Sequence, residues 1–207
     1  MQIVVVGLPR SGTSMVAEIV QTLGVEMNAE KNVDEHNERG YWEDYEMCKA
    51  SERIIGGAGG TIWNPPSLPQ INKIKYDLSE KIRERQEKNG DWGWKDPRLC
   101  LTLFKFIPFL YTPKVIWIRR REESVVQSLL SYPPSNLRSA EHAQLFVRYL
   151  TLCLHLQMRG LEPLKLQYET MLQNPQAAIE QITEYLGIAS NDKATACIEA
   201  RLNHHKE

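Results

Sequence analysis

The sequence predicts a three-layer α/β fold, with a central, mainly parallel β-sheet flanked by helices on both faces. Three observations predict it. Short continuous apolar runs, such as IVVV at 3–6, have the character of strands buried on both sides of a parallel sheet. Helical periodicities lie between these runs, and strands alternating with helices put ligands at the strand C-termini. The 207 residues hold no internal repeat, and a chain of that length buries roughly 70% of its unfolded surface as one unit. Residues 1–207 therefore read as a single domain.

IVVV ends at Gly7, and from Ser14 the period changes. Met15, Val16, Ile19, Val20 and Leu23 recur at helical spacing until Gly24 offers a stop. The stretch 25–75 is acidic, then Gly-rich at 56–60, then Pro-rich at 63–69. It reads as helix and loop laid over the sheet edge, with a helix near 43–55. Residues 77–89 form a polar helix facing solvent, and WGWK at 92–95 is the second strand. KVIWI at 114–118 is the third, followed by a helix with Val125, Val126, Leu129 and Leu130 on one stripe. Residues 140–158 give a long helix, apolar on more than one side and so expected to be buried. PLKLQY at 163–168 is a further strand. The last helix, 174–187, carries Asn174 as N-cap, Pro175 in its first turn and Gly187 at its end.

Charge excludes some partners. Acidic and basic residues are well mixed and the net charge is −1, so neither a nucleic-acid tail nor a polybasic membrane patch is present. Any cationic site is a local cluster. Cys48, Cys100, Cys153 and Cys197 lie far apart without a C-x-x-C pair, and read as small buried hydrophobes rather than metal ligands. No apolar run approaches the ~20 residues a membrane helix needs, and the chain opens on a strand without a basic leader. A cytoplasmic protein with reduced thiols and no metal is the expectation.

GLPRSGTSM at 7–15 has the outline of a P-loop, G-x-x-x-x-G-K-[ST], and joins a strand to a helix as that loop requires. The fold expected is accordingly P-loop NTPase-like. Thr13, however, stands where the phosphate-binding lysine belongs. Backbone N–H groups at Gly12, Thr13 and Ser14 converge where the helix dipole favours negative charge, and Arg10 covers the anion from the side. A loop that keeps its cradle but moves its cation upstream suits a short anionic group bearing one transferable group. It speaks against ordinary ATP or GTP hydrolysis, in which the lysine bridges two phosphates.

PRSGTS after a strand resembles the 5′-phosphosulfate loop of the sulfotransferase family, whose members use 3′-phosphoadenosine 5′-phosphosulfate. Arg10 matches the family's lysine or arginine before S-G-T. A second motif strengthens the likeness, because RRREESVVQSLL follows KVIWI. The family carries an arginine at a strand end and a serine eight residues later, which together hold the 3′-phosphate. Arg120 and Ser128 have that spacing, with Arg119 and Arg121 competing for the register. A fixed guanidinium fork plus a hydroxyl suits a dianionic phosphate. HNERGYWE (36–43), WGWKDPRLCL (92–101) and YETMLQNP (168–175) also resemble family segments, so the likeness spans roughly residues 3–187.

The resemblance implies in-line transfer of a sulfuryl group to a small-molecule, lipid or carbohydrate acceptor, with 25–75 as an acceptor-side insertion. It assigns Arg10, Ser11, Gly12, Thr13, Ser14, Arg120 and Ser128 to the donor. Lys95 matches a lysine placed beside the sulfuryl group, or else forms a structural ion pair with Asp96. The cytosolic branch has a histidine base two residues after that lysine, and here the position is Pro97. Glu43, closing GYWE, best matches the glutamate base of other branches, with His36 and Asp44 as alternatives. Partial burial against Tyr41 and Trp42 is expected to lift its pKa toward neutrality. Arg98 reads equally as a ligand contact or a salt-bridge residue, and Trp42 and Trp63 as acceptor-pocket walls. RLNHHK at 201–206 either closes over the donor or frays. A P-loop kinase and a non-catalytic nucleotide-binding relative are the competing functions, and the oligomeric state is open.

Overall fold

A computed structural model describes residues 1–29, 33, 37, 40–88 and 90–198. Its sheet contains β1 (Gln2–Val6), β2 (Trp92–Lys95), β3 (Lys114–Arg119) and β4 (Leu164–Gln167), all parallel in the order β2–β1–β3–β4. All four predicted strands are present. The register pairs Val5 with Lys95, Val6 with Trp117 and Arg119 with Gln167. It follows that Lys95, the turn after Val6, Arg120 and Tyr168 all emerge at the same end of the sheet.

Successive strand residues point to opposite faces, and two cores result. Val4, Val6, Trp92, Trp94, Val115 and Trp117 pack on one face. They meet α2 (Tyr45–Gly57), α3 (Leu68–Lys73), α4 (Ser79–Lys88), α5 (Leu99–Phe106), α6 (Glu122–Leu130) and α7 (Ala140–Gln157). Ile3, Val5, Ile116, Ile118 and Leu166 pack on the other. There they meet α1 (Thr13–Thr22), α8 (Tyr168–Gln173), α9 (Pro175–Leu186) and α10 (Asp192–Thr195). This is the expected three-layer arrangement.

Local signals held in most places. α4 buries Ile82 alone among its apolar positions, and Gly187 ends α9 in the left-handed conformation, φ 72°. The four cysteines are free and buried. Among the described residues no helix is long and apolar enough to cross a membrane. Two expectations need correction. Asn174 sits at the N-cap of α9, but its side chain makes no capping hydrogen bond, leaving Pro175 as the start signal. The helix at 140–157 is not buried all round. Ala143, Phe146, Val147, Leu150 and Leu154 face the core, whereas Leu145 and Leu152 are 67% and 58% exposed. Periodicity shows that a second apolar stripe exists, not whether anything covers it.

Gly93 marks the tightest packing in the sheet. A Cβ there would lie 2.6 Å from the Ile3 carbonyl oxygen and 3.1 Å from Met27 Sδ. The contact is with backbone, so a side chain has nowhere to go. Gly93→Ala is expected to cost about 1–3 kcal/mol of unfolding free energy, measured as a shift in the urea midpoint at unchanged slope.

Candidate active site

One cavity of about 340 Å³ opens at the C-terminal end of the sheet. Its lining joins the loop after β1 (Arg10, Gly12, Thr13, Ser14), the end of β2 and the turn beyond (Lys95, Pro97, Arg98), and Arg120 with Ser128 from β3–α6. Segment 37–63 contributes Asn37, Tyr41, Glu43, Ile62 and Trp63.

The loop has the backbone the sequence calls for. Gly12 adopts φ 97° as N-cap of α1, and the Tyr168 ring lies so close that a Cβ on Gly12 would be 2.5 Å from it. Only glycine suits both demands. The first amides of α1 have no intrahelical acceptor and face the cavity side of the turn. Ser11 differs from its neighbours, because its backbone N–H and its hydroxyl both donate to the Leu8 carbonyl, at 3.1 and 2.7 Å. It closes the turn rather than lining the cavity. The Ser14 hydroxyl donates to the Tyr41 carbonyl (3.0 Å) and accepts from Asn37 Nδ2 (3.3 Å), tying the loop to segment 37–43.

Two guanidinium groups converge above this cradle. Arg10, itself at φ 68°, donates from Nε to Ser128 Oγ at 3.0 Å, and its guanidinium lies 5.0 Å from the Tyr132 ring centroid. Arg120 donates from Nη1 to the Arg10 carbonyl at 3.1 Å and lies 4.6 Å over the Tyr168 ring. The three consecutive arginines point in different directions. Arg120 lines the cavity, Arg119 turns outward over Trp117 at 5.6 Å, and exposed Arg121 caps α6 with its backbone N–H bound to Glu169 Oε1. Burial first, and then the nearby charge of Arg10, lower the proton affinity of Arg120, against an opposing pull from Tyr168 and Glu169.

The opposite wall carries balanced charge. Lys95, 1% exposed, places Nζ 2.8 Å from Glu43 Oε1. Arg98 Nη1 lies 3.4 Å from Glu43 Oε2 and 3.0 Å from Asp96 Oδ1, while its Nη2 reaches Glu52 at 2.8 Å. The Lys95 partner is thus Glu43, not the adjacent Asp96. Burial pushes the Glu43 carboxyl up, but Lys95 and Arg98 together outweigh it, and the pKa ends below the ordinary carboxylate value. This corrects the expectation of a lifted Glu43, since the two cations at 2.8 and 3.4 Å outweigh its burial, while Trp42 packs against the core of the other sheet face. Because folding lowers this pKa, Glu43 in its ion pairs with Lys95 and Arg98 contributes stability at neutral pH. That contribution is lost as pH falls through the carboxylate range.

Of the other residues singled out in the sequence, Trp63 lines the cavity and packs against Tyr132 and Phe146, each at 5.9 Å. Trp42 does not line it. His36 and residues 201–206 lie outside the described residues. Asp44 is fully buried and engaged elsewhere. It caps α2 through the Glu46 and Met47 amides and binds Arg85 Nε and Nη2 at 2.8 and 2.9 Å. Sequence reasoning missed Tyr132 as a cavity wall, for which no local signal existed. Tyr168, one residue beyond the end of β4, lines the same cavity.

No family model matches the sequence, and no curated protein sequence matches it. Solved structures do match in fold. The sulfotransferase domain of the curacin biosynthetic pathway superposes with a TM-score of 0.60 at 14% identity, over 96% of this chain and 77% of that one. The sulfotransferase domain of the Synechococcus olefin synthase gives 0.56 at 16% identity, over 100% and 83%. A sulfotransferase from Mycobacterium avium gives 0.57 at 14% identity, over 100% and 68%.

The chain has the sulfotransferase fold. Within it, Asp44 is a scaffold residue and not part of the cavity. Asp44→Ala is expected to cost about 3 kcal/mol, because it strips a helix cap and leaves Arg85 without its carboxylate. Denaturant unfolding will register that loss.

Proposed function

We propose that this chain is a sulfotransferase. It takes its sulfuryl group from 3′-phosphoadenosine 5′-phosphosulfate and delivers it to a hydroxyl or amine of a small-molecule, lipid or carbohydrate acceptor. One observation carries the reading: Arg10 and Arg120 line one cavity beside the first turn of α1, with Arg10 bonded to Ser128 and Arg120 bonded to the Arg10 carbonyl. This supports a reading of two adjoining anion sites, the pairing that a nucleotide with phosphate at both its 3′ and 5′ positions calls for. The sulfotransferase fold supports the same class of chemistry.

In the proposed reaction the acceptor oxygen bonds to sulfur as the bond from sulfur to the bridging oxygen breaks in line. The bridging oxygen leaves with its electron pair on the nucleotide, where Arg10 and the loop amides stabilise the developing charge. The acceptor proton passes to Glu43. Lys95 and Arg98 keep this carboxylate ionised, so it is always in the form that can accept a proton, although a weak base at rest. An anionic donor entering the cavity competes for Lys95, and weakening of the 2.8 Å contact raises the proton affinity of Glu43. Substrate binding thereby strengthens the base.

Titration calorimetry with adenosine 3′,5′-bisphosphate in EDTA tests the donor. Binding is expected, and Arg120→Ala is expected to weaken it by about tenfold or more. Binding of ATP with Mg²⁺ alone, and no response to the bisphosphate, would turn the reading toward a kinase.

Turnover tests the base. Glu43→Gln retains an oxygen for Lys95 Nζ, so bisphosphate affinity should persist while kcat falls by about 10²–10⁴. The wild-type pH profile of kcat/KM should stay level as pH drops through the ordinary carboxylate range and decline only below it. The sign follows from the lowered pKa, since the base is lost only on protonation. An acid limb centred near neutrality would remove Glu43 from the role.

A further inference from the structure

α7 carries two apolar stripes, and its core uses only one. The second runs Leu145, Tyr149, Leu152, Leu156, a spacing of four, three and four residues. That is the seam of a helix packing against another helix. Leu145, Leu152 and Leu156 are 67%, 58% and 38% exposed. Tyr149 is half-buried and fixed by its hydroxyl, which donates to the Pro66 carbonyl at 2.9 Å. Three neighbouring leucines in water on one rigid helix form a patch and not a scatter of single residues.

The charges around the stripe point to its occupant. Glu141 stands on the solvent side at the helix N-terminal end, and Arg159 follows the C-terminal end on the same side. Both are exposed. Among the described residues neither forms an ion pair, whereas Arg148 between them is paired with Glu122 at 2.8 Å. A second α7 laid antiparallel sets Leu145 against the partner's Leu156, and Tyr149 against the partner's Leu152. The same register brings Glu141 to the partner's Arg159 at one end, and two-fold symmetry repeats the pair at the other. Antiparallel helices also place opposite dipole ends together. A parallel pair in register would set Glu141 against Glu141 and Arg159 against Arg159.

We propose that the exposed face of α7 is the interface of a symmetric dimer of this chain, built by antiparallel pairing of Leu145, Tyr149, Leu152 and Leu156 and closed at each end by Glu141 with the partner's Arg159. The site is isologous, so the assembly closes at two copies. None of its four stripe residues lines the cavity, and the proposal does not depend on the proposed activity.

Sedimentation equilibrium of the whole chain at micromolar concentration tests this. The wild type is expected at twice the chain mass. Leu152→Glu, a change at an exposed position, is expected to give a monomer with an unaltered circular dichroism spectrum and a melting temperature that no longer depends on protein concentration. Glu141→Arg or Arg159→Glu alone should each weaken association by about tenfold, and the double exchange should restore it. A monomeric wild type would overturn the proposal, as would a dimer that survives both Leu145→Glu and Leu152→Glu. A dimer lost in the leucine variants but indifferent to the charge exchange would overturn the antiparallel register. A monomer that floats with phosphatidylcholine vesicles in a leucine-dependent way would assign the face to lipid instead and sink the dimer.

Discussion

Arg120 is held, largely out of water, beside a second guanidinium. Like charges in a partly desolvated site repel, and the rest of the cavity is arranged to hold them there. The Arg10 carbonyl accepts from Arg120, the Tyr168 and Tyr132 rings lie under the two cations, and Glu169 adds a distant negative charge. These contacts fix both guanidinium groups at the tips of β1 and β3. Parallel pairing in register makes this possible, because it delivers both strand ends to one edge.

The far wall follows the opposite logic. Lys95, Arg98, Glu43, Asp96 and Glu52 alternate in sign, so the buried cation at 95 and the buried carboxylate at 96 each lie within a compensated cluster. One wall carries Arg10 and Arg120, and the other carries the ion-pair cluster around Glu43. Trp63 and Tyr132 pack against each other at 5.9 Å and also line the cavity.

The legible part of this molecule was the part encoded locally. The loop at 7–15, the eight-residue interval from Arg120 to Ser128 and the helix signals of α9 each sit within one short window. The structure brings the first two into a single cavity. The state of Glu43 was not legible, because it depends on Lys95 and Arg98, residues 52 and 55 positions away. Asp44 looked like its equal in sequence. Only the position of Arg85, one face of a polar helix turned inward, makes Asp44 a fixed support instead. The outward stripe on α7 shows the same limit, since 3.6-residue periodicity marks apolar faces but does not say which of them has a neighbour.

The double hydrogen bond at Ser14 has a consequence for anyone who would rebuild this site. That hydroxyl anchors Tyr41 and Asn37, and Glu43 follows Tyr41 by two residues. The anion cradle and the carboxylate therefore hang from one joint. Transplanting residues 7–15 onto another parallel sheet would carry over the turn without the carboxylate wall that Ser14 ties to it. The smallest portable unit includes the stretch from 37 to 43, and with it the strand end that supplies Lys95.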